Sequence, residues 1–128
     1  MRDLTLLTSK RITQEHGLRL LKGKIAGIRQ NGADELCATR FPKSVFLFFE
    51  TGDPEKDEPI PEEWLDKLPS KGFHCVDVEY HLSSVTKRIV EALMGEYPDM
   101  YVVVDEIFED GDIRIVKAEE YLKMEFDW

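Results

Sequence analysis

Hydrophobic and polar positions alternate most regularly over Phe73-His74-Cys75-Val76-Asp77-Val78-Glu79-Tyr80-His81-Leu82. Such alternation predicts a strand with one buried and one open face. His74, Val76, Val78, Tyr80 and Leu82 make the apolar side, and Cys75, Asp77, Glu79 and His81 make the polar side. Register matters here, because a slip of one residue would bury two carboxylates without partners. Val76, Val78 and Tyr80 are therefore expected inside, and Asp77 and Glu79 outside.

The rest of the chain reads around this segment. Leu4–Thr8 is a short strand. Thr13 caps a helix, with Gln14 and Glu15 placed well against its dipole. Leu18, Leu21, Ile25 and Ile28 recur at spacings of three, four and three, which makes one helical stripe. Gly17, Gly23 and Gly27 interrupt that stripe at about 1 kcal/mol each against Ala. Gly23 and Gly27 share a face and suit close backbone packing, and Asn31-Gly32 ends the segment. Val45–Phe49 is a strand that is apolar on both faces, so something must cover each side.

An acidic loop follows, Thr51 to Pro61, stiffened by Pro54, Pro59 and Pro61. Pro61 opens a short helix, Glu62–Leu68, anchored by Trp64, Leu65 and Leu68. After the alternating strand, Ser83 or Ser84 caps a helix whose Val85, Ile89, Ala92 and Leu93 face inward, and Gly95 and Pro98 stop it. Met100–Phe108 is a strand. Glu109-Asp110-Gly111-Asp112 carries an Asp-Gly hairpin signal, and Ile113–Val116 returns antiparallel. The tail, Lys117–Trp128, reads equally as helix or strand. Tyr121, Leu122, Met124, Phe126 and Trp128 require cover for it, and a tail lying over Phe46 and Phe48 would supply this. A second subunit, making a homodimer, is the other way to cover that strand.

The order is strand, helix, strand, strand, helix, strand, with one further hairpin strand. It predicts a single α+β domain over residues 1–128, a ferredoxin-like βαββαβ sandwich with an extra C-terminal hairpin strand. Two helices are expected on one sheet face, with the other face open.

Composition narrows the class. With 42% hydrophobic and 34% charged residues in 128, the chain is expected to fold as a soluble globule. Its longest apolar runs, Val45–Phe49 and Met100–Val104, fall far short of the roughly 20 residues of a membrane span. The N-terminal residues form no secretory signal, and Cys37 and Cys75 suit a reducing compartment, so a cytoplasmic location is expected. Charge is the most unusual property. Residues 1–44 hold nine Lys/Arg against four Asp/Glu, a net of +5, and residues 45–128 hold eight against twenty-two, a net of −14. One basic and one acidic surface are expected if the fold segregates them.

The polar face of the alternating strand has the side chains of a metal or acid–base site. Four same-face residues on one strand span about 20 Å, however, whereas zinc ligands all lie about 2.0–2.3 Å from one ion. No metal or other cofactor is expected. A thiol mechanism needs Cys75 or Cys37 beside a histidine. His74 points to the opposite face from Cys75, His81 is too distant along the strand, and nothing requires His16 to approach. Among the paired carboxylates, Asp105 is best placed for partial burial, and it reads first as a strand-end residue.

Nucleic acid is an unsuitable partner for a chain of net charge −9. A compact acidic surface instead mimics the phosphate backbone and suits the cleft of a basic protein, such as a nuclease-like enzyme. The leading expectation is an acidic binding protein, of the inhibitor or toxin-neutralising (immunity) kind. Its contact residues would be Asp53, Glu55, Asp57 and Glu58 in the loop and Asp105, Glu106, Glu109 and Asp110 at the hairpin. The alternative is a small enzyme or ligand-binding domain using the open face around Cys75, Asp77, Glu79 and His81.

Overall fold

The computed structural model describes residues 2–104 and 113–125. Strand β1 (Arg2–Thr8) leads into helix α1 (Gln14–Leu21) and then a meander of β2 (Arg29–Gln30), β3 (Glu35–Ala38) and β4 (Val45–Phe49). Beyond the acidic loop come helix α2 (Glu62–Leu65), strand β5 (His74–Tyr80) and helix α3 (Ser83–Met94). Strands β6 (Tyr101–Val104) and β7 (Arg114–Lys117) precede helix α4 (Ala118–Lys123). All these strands join one sheet in the order β2-β3-β4-β5-β1-β6-β7. Every neighbouring pair is antiparallel, so the chain forms an α+β domain on a seven-stranded antiparallel sheet.

The alternating segment lies at the centre of this sheet, flanked by β1 and β4. Val78 stands opposite Leu4 on one side and Leu47 on the other. Val76, Val78 and Tyr80 are buried and Asp77 is exposed, as the alternation requires, whereas Glu79, expected outside, is half-buried. His74, assigned to the apolar side, is half-buried and takes a polar partner at the strand's edge.

Three helices, not two, pack on the apolar face. Leu21 of α1, Ile89 and Leu93 of α3 and Tyr121 of α4 share one core with Leu6, Leu47 and Val78 of the sheet. The tail therefore resolves as a helix, and its described part lies on the face opposite Phe46 and Phe48. It covers a different surface from the one its apolar content suggested. The second face is only partly open. Leu68 and Phe73 pack there with Leu7 and Val103, joined by Trp64 and Leu65 of α2.

Local signals account for the remaining differences. Helix α1 stops at Leu21 because Gly23 (φ 81°) and Gly27 (φ 75°) adopt left-handed backbone. They turn the chain rather than admit a close neighbour, and a Cβ on either would meet nothing within 4 Å. Gly17 has the packing role instead: a Cβ there would lie 2.7 Å from Cζ of Phe49. Strands β2 and β3 carry too short a pattern to predict. Helix α3 begins at Leu82 with no side-chain cap, so neither Ser83 nor Ser84 is the cap residue. Strand β7 pairs antiparallel with β6, as the hairpin reading requires, while residues 105–112 lie outside the described residues.

Candidate functional site

The uncovered part of the second sheet face is where chemistry-bearing side chains gather. Pairing places Cys37, Phe46, Glu79 and Asp3 in one row across β3, β4, β5 and β1. The adjacent row runs Glu35, Phe48, Asp77 and Thr5. Alternation directs both rows away from the helix-covered core, with Cys37 itself buried at the end of its row. Phe48 is 37% exposed, although it sits mid-strand. It lines a shallow concavity of about 380 Å³ with Asp3, Thr5, Asp77 and Glu79.

Asp77 is the most perturbed carboxyl of this group. The Thr5 hydroxyl donates to its Oδ1 at 3.0 Å. Although Asp77 is exposed as a residue, partial burial of its carboxyl against the sheet raises its pKa, the Thr5 hydrogen bond opposes that, and the charges of Glu58, Asp3 and Glu50 raise it further.

At the start of β5, Glu50 makes a contact that no sequence spacing suggests. Its Oε1 lies 2.8 Å from Nδ1 of His74, and its Oε2 accepts the Cys75 backbone N–H at 2.9 Å. Burial, then the charges of Asp77 and Glu50, pushes the Cys75 thiol up to about 12, so it stays protonated at neutral pH. A nucleophilic cysteine needs the reverse shift. His81 sits against the exposed ring of Phe41 at 5.4 Å, edge to face. His16 bonds the Tyr97 hydroxyl at 2.7 Å. Cys37 and Cys75 are both free thiols. Among the described residues no group of three or more His, Cys, Asp or Glu is placed to hold a metal ion.

The loop carboxylates divide into two kinds. Asp57 accepts from the backbone N–H of Thr51 at 2.7 Å, from its hydroxyl at 2.9 Å and from the Gly52 N–H at 3.1 Å. Asp53 accepts the Glu55 N–H at 3.0 Å. These two hold the loop's own shape, whereas Glu55 and Glu58 project from it, exposed. Asp105, Glu106, Glu109 and Asp110 lie outside the described residues.

Phe48 and Glu50 are the residues that sequence reasoning missed. For Phe48 the strand reads as apolar on both faces, and only its pairing opposite Asp77 shows which face is left exposed. For Glu50 there was no signal, because it meets His74 across 24 residues of loop and helix. No helix among the described residues is long and apolar enough to cross a membrane. No protein-family model, curated protein or solved structure matches this chain.

Proposed function

We propose that this is an acidic binding protein whose working surface is the uncovered sheet face, and that it engages a basic protein partner as an inhibitor or toxin-neutralising protein does. The observation that carries this reading is Phe48. A large apolar side chain stays exposed among Asp3, Glu35, Asp77 and Glu79, on the part of the face that α2 and its neighbours leave open among the described residues. An aromatic anchor ringed by like charges suits a partner that presents lysines or arginines around an apolar recess. Glu55 and Glu58 extend the surface from the proline-stiffened loop, which loses little entropy when it is fixed on a partner. Residues Asp105, Glu106, Glu109 and Asp110 belong to the same proposal.

The reading as an enzyme around Cys75, Asp77, Glu79 and His81 has less support, since the thiol is protonated and His81 is turned to Phe41. We also propose that the fold is a ferredoxin-like sandwich elaborated at both sheet edges. The order β4-β5-β1-β6, with β1 parallel to β4 and β5 parallel to β6 across an intervening strand, supports this. The free cysteines suit the cytoplasmic location proposed with it.

Capture from native cell lysate at low and high salt tests the function. The wild type is expected to retain a basic protein at low salt and release it at high salt. A Phe48→Ser/Asp77→Lys variant is expected to retain none. Capture that ignores ionic strength, or that survives the double substitution, overturns the proposal.

A further inference from the structure

Between the turn after α1, the start of α3 and the β3–β4 loop, beside the core on the helix side of the sheet, lies a cavity of about 290 Å³ with the opposite character. Ile25, Ala26 and Val85 make its apolar wall, and Lys24, Arg40, Lys43, Arg88 and Ser84 complete the lining. The four cations come from three separated segments: the turn after α1, the β3–β4 loop and the second turn of α3. Nη1 of Arg88 donates to the Lys24 carbonyl at 3.4 Å, which ties the helix to that turn and holds the guanidinium at the cavity. Among the described residues no ion pair engages any of the four. Among the described residues Glu91 is the one carboxylate lining the adjoining concavity, which it shares with Gly23, Lys24, Arg88 and Ala92. Helix α3 has no side-chain cap and no acidic residue in its first turn, so its positive end adds to the field there.

In a chain of net charge −9, four like charges gathered on one recess repel one another unless an anion joins them. We propose that this cavity binds a small phosphomonoester, with Arg40, Lys43, Lys24 and Arg88 around the phosphate and the Ile25–Val85 wall against its apolar part. Arginine pairs a phosphate dianion through two parallel N–H bonds, and lysine adds a compact charge. The cavity is at the small end of ligand sites, which suits a metabolite-sized molecule rather than a polymer. The acidic remainder of the chain also opposes an extended phosphate backbone. This site is independent of the partner surface on the other face.

Phenyl phosphate is the probe, titrated into ¹⁵N-labelled protein at constant ionic strength and followed by amide shifts. Saturable shifts are expected at Ile25, Ala26, Ser84, Val85 and Arg88, with weaker binding by inorganic phosphate, which lacks the ring. An Arg40→Ala/Lys43→Ala variant, altered only in an exposed loop, is expected to keep its amide spectrum elsewhere and to bind about tenfold less tightly or worse. Arg88→Gln retains most of the packing stem and is expected to weaken binding likewise. Three results overturn the proposal: shifts that do not saturate or are reproduced by sodium chloride, unchanged affinity in Arg40→Ala/Lys43→Ala, or tighter binding by a short DNA duplex.

Discussion

At the scale of single residues, close packing and carboxylate environments make predictions of opposite sign. Gly17→Ala gains about 1 kcal/mol of helix propensity. Its new Cβ would meet two ring atoms of buried Phe49, at 2.7 and 2.9 Å, and overpacking of that kind costs about 1–3 kcal/mol. The clash is expected to win, lowering the urea midpoint; a raised midpoint would mean that the Phe49 ring moves aside freely. Asp57 and Asp77 titrate in opposite senses. The Thr51 backbone N–H chiefly holds Asp57 below its ordinary value of 3.8. Its contribution is therefore present above that pH and lost as the pH falls through the folded value. Asp57→Asn should destabilise at neutral pH, with the difference shrinking in acid. Burial raises Asp77, so its ionised form opposes folding above the raised value and the penalty is relieved as the pH falls. Asp77→Asn, which keeps an acceptor for Thr5, should stabilise at neutral pH and lose that advantage in acid. Urea midpoints for the two variants between pH 3 and pH 7 that run parallel would refute this assignment.

Among the elements, β5 and α4 show how one face of each is committed. Val78 is buried between Leu4 and Leu47, so Val78→Ala should cost about 1–3 kcal/mol from lost burial and a cavity. Glu79→Ala, on the other side of the same strand, should cost little. Equal losses in urea unfolding would show that both faces of β5 are covered. Helix α4 is secured by Tyr121, which is 1% exposed and lies 2.6 Å from the Thr86 hydroxyl. That hydroxyl already donates to the Ser83 carbonyl at 2.8 Å, so Tyr121 is the donor. Its phenol is pushed up to about 12, mainly by burial, and so remains a donor across the physiological range. Tyr121→Phe should cost about 1–2 kcal/mol, because the Thr86 oxygen loses its donor while still buried. A thermal midpoint unchanged from wild type would assign the anchoring to ring packing alone.

For the whole molecule, the sheet separates two charge fields. Asp3, Asp77 and Glu79 line one side, and Lys24, Arg40, Lys43 and Arg88 gather at the cavity on the helix side. Such fields are screened over about 8 Å at physiological salt, and groups without shared partners contribute nearly additively. Asp77→Lys/Glu79→Lys should therefore leave phenyl phosphate affinity within about twofold of wild type. A larger change, measured by titration calorimetry, would mean that the two surfaces communicate through the sheet.

The chain's own pattern determined the elements whose burial repeats locally. The period of two over residues 73–82 set which side of β5 is buried, the apolar stripe from Val85 to Leu93 set α3, and Pro61 set the start of α2. It also separated charge along the chain, with basic residues concentrated before residue 45. Tertiary structure decided everything that depends on residues far apart in sequence. Only strand pairing could exclude Phe48 from the core, because an apolar strand reads alike whether one or both faces are covered. Only the left-handed turns after α1 bring Lys24 to Arg88, and only the β3–β4 loop adds Arg40 and Lys43 to them. Side chains that meet across a sheet or between two loops obey no local period, so their meeting leaves no mark on the sequence of either segment.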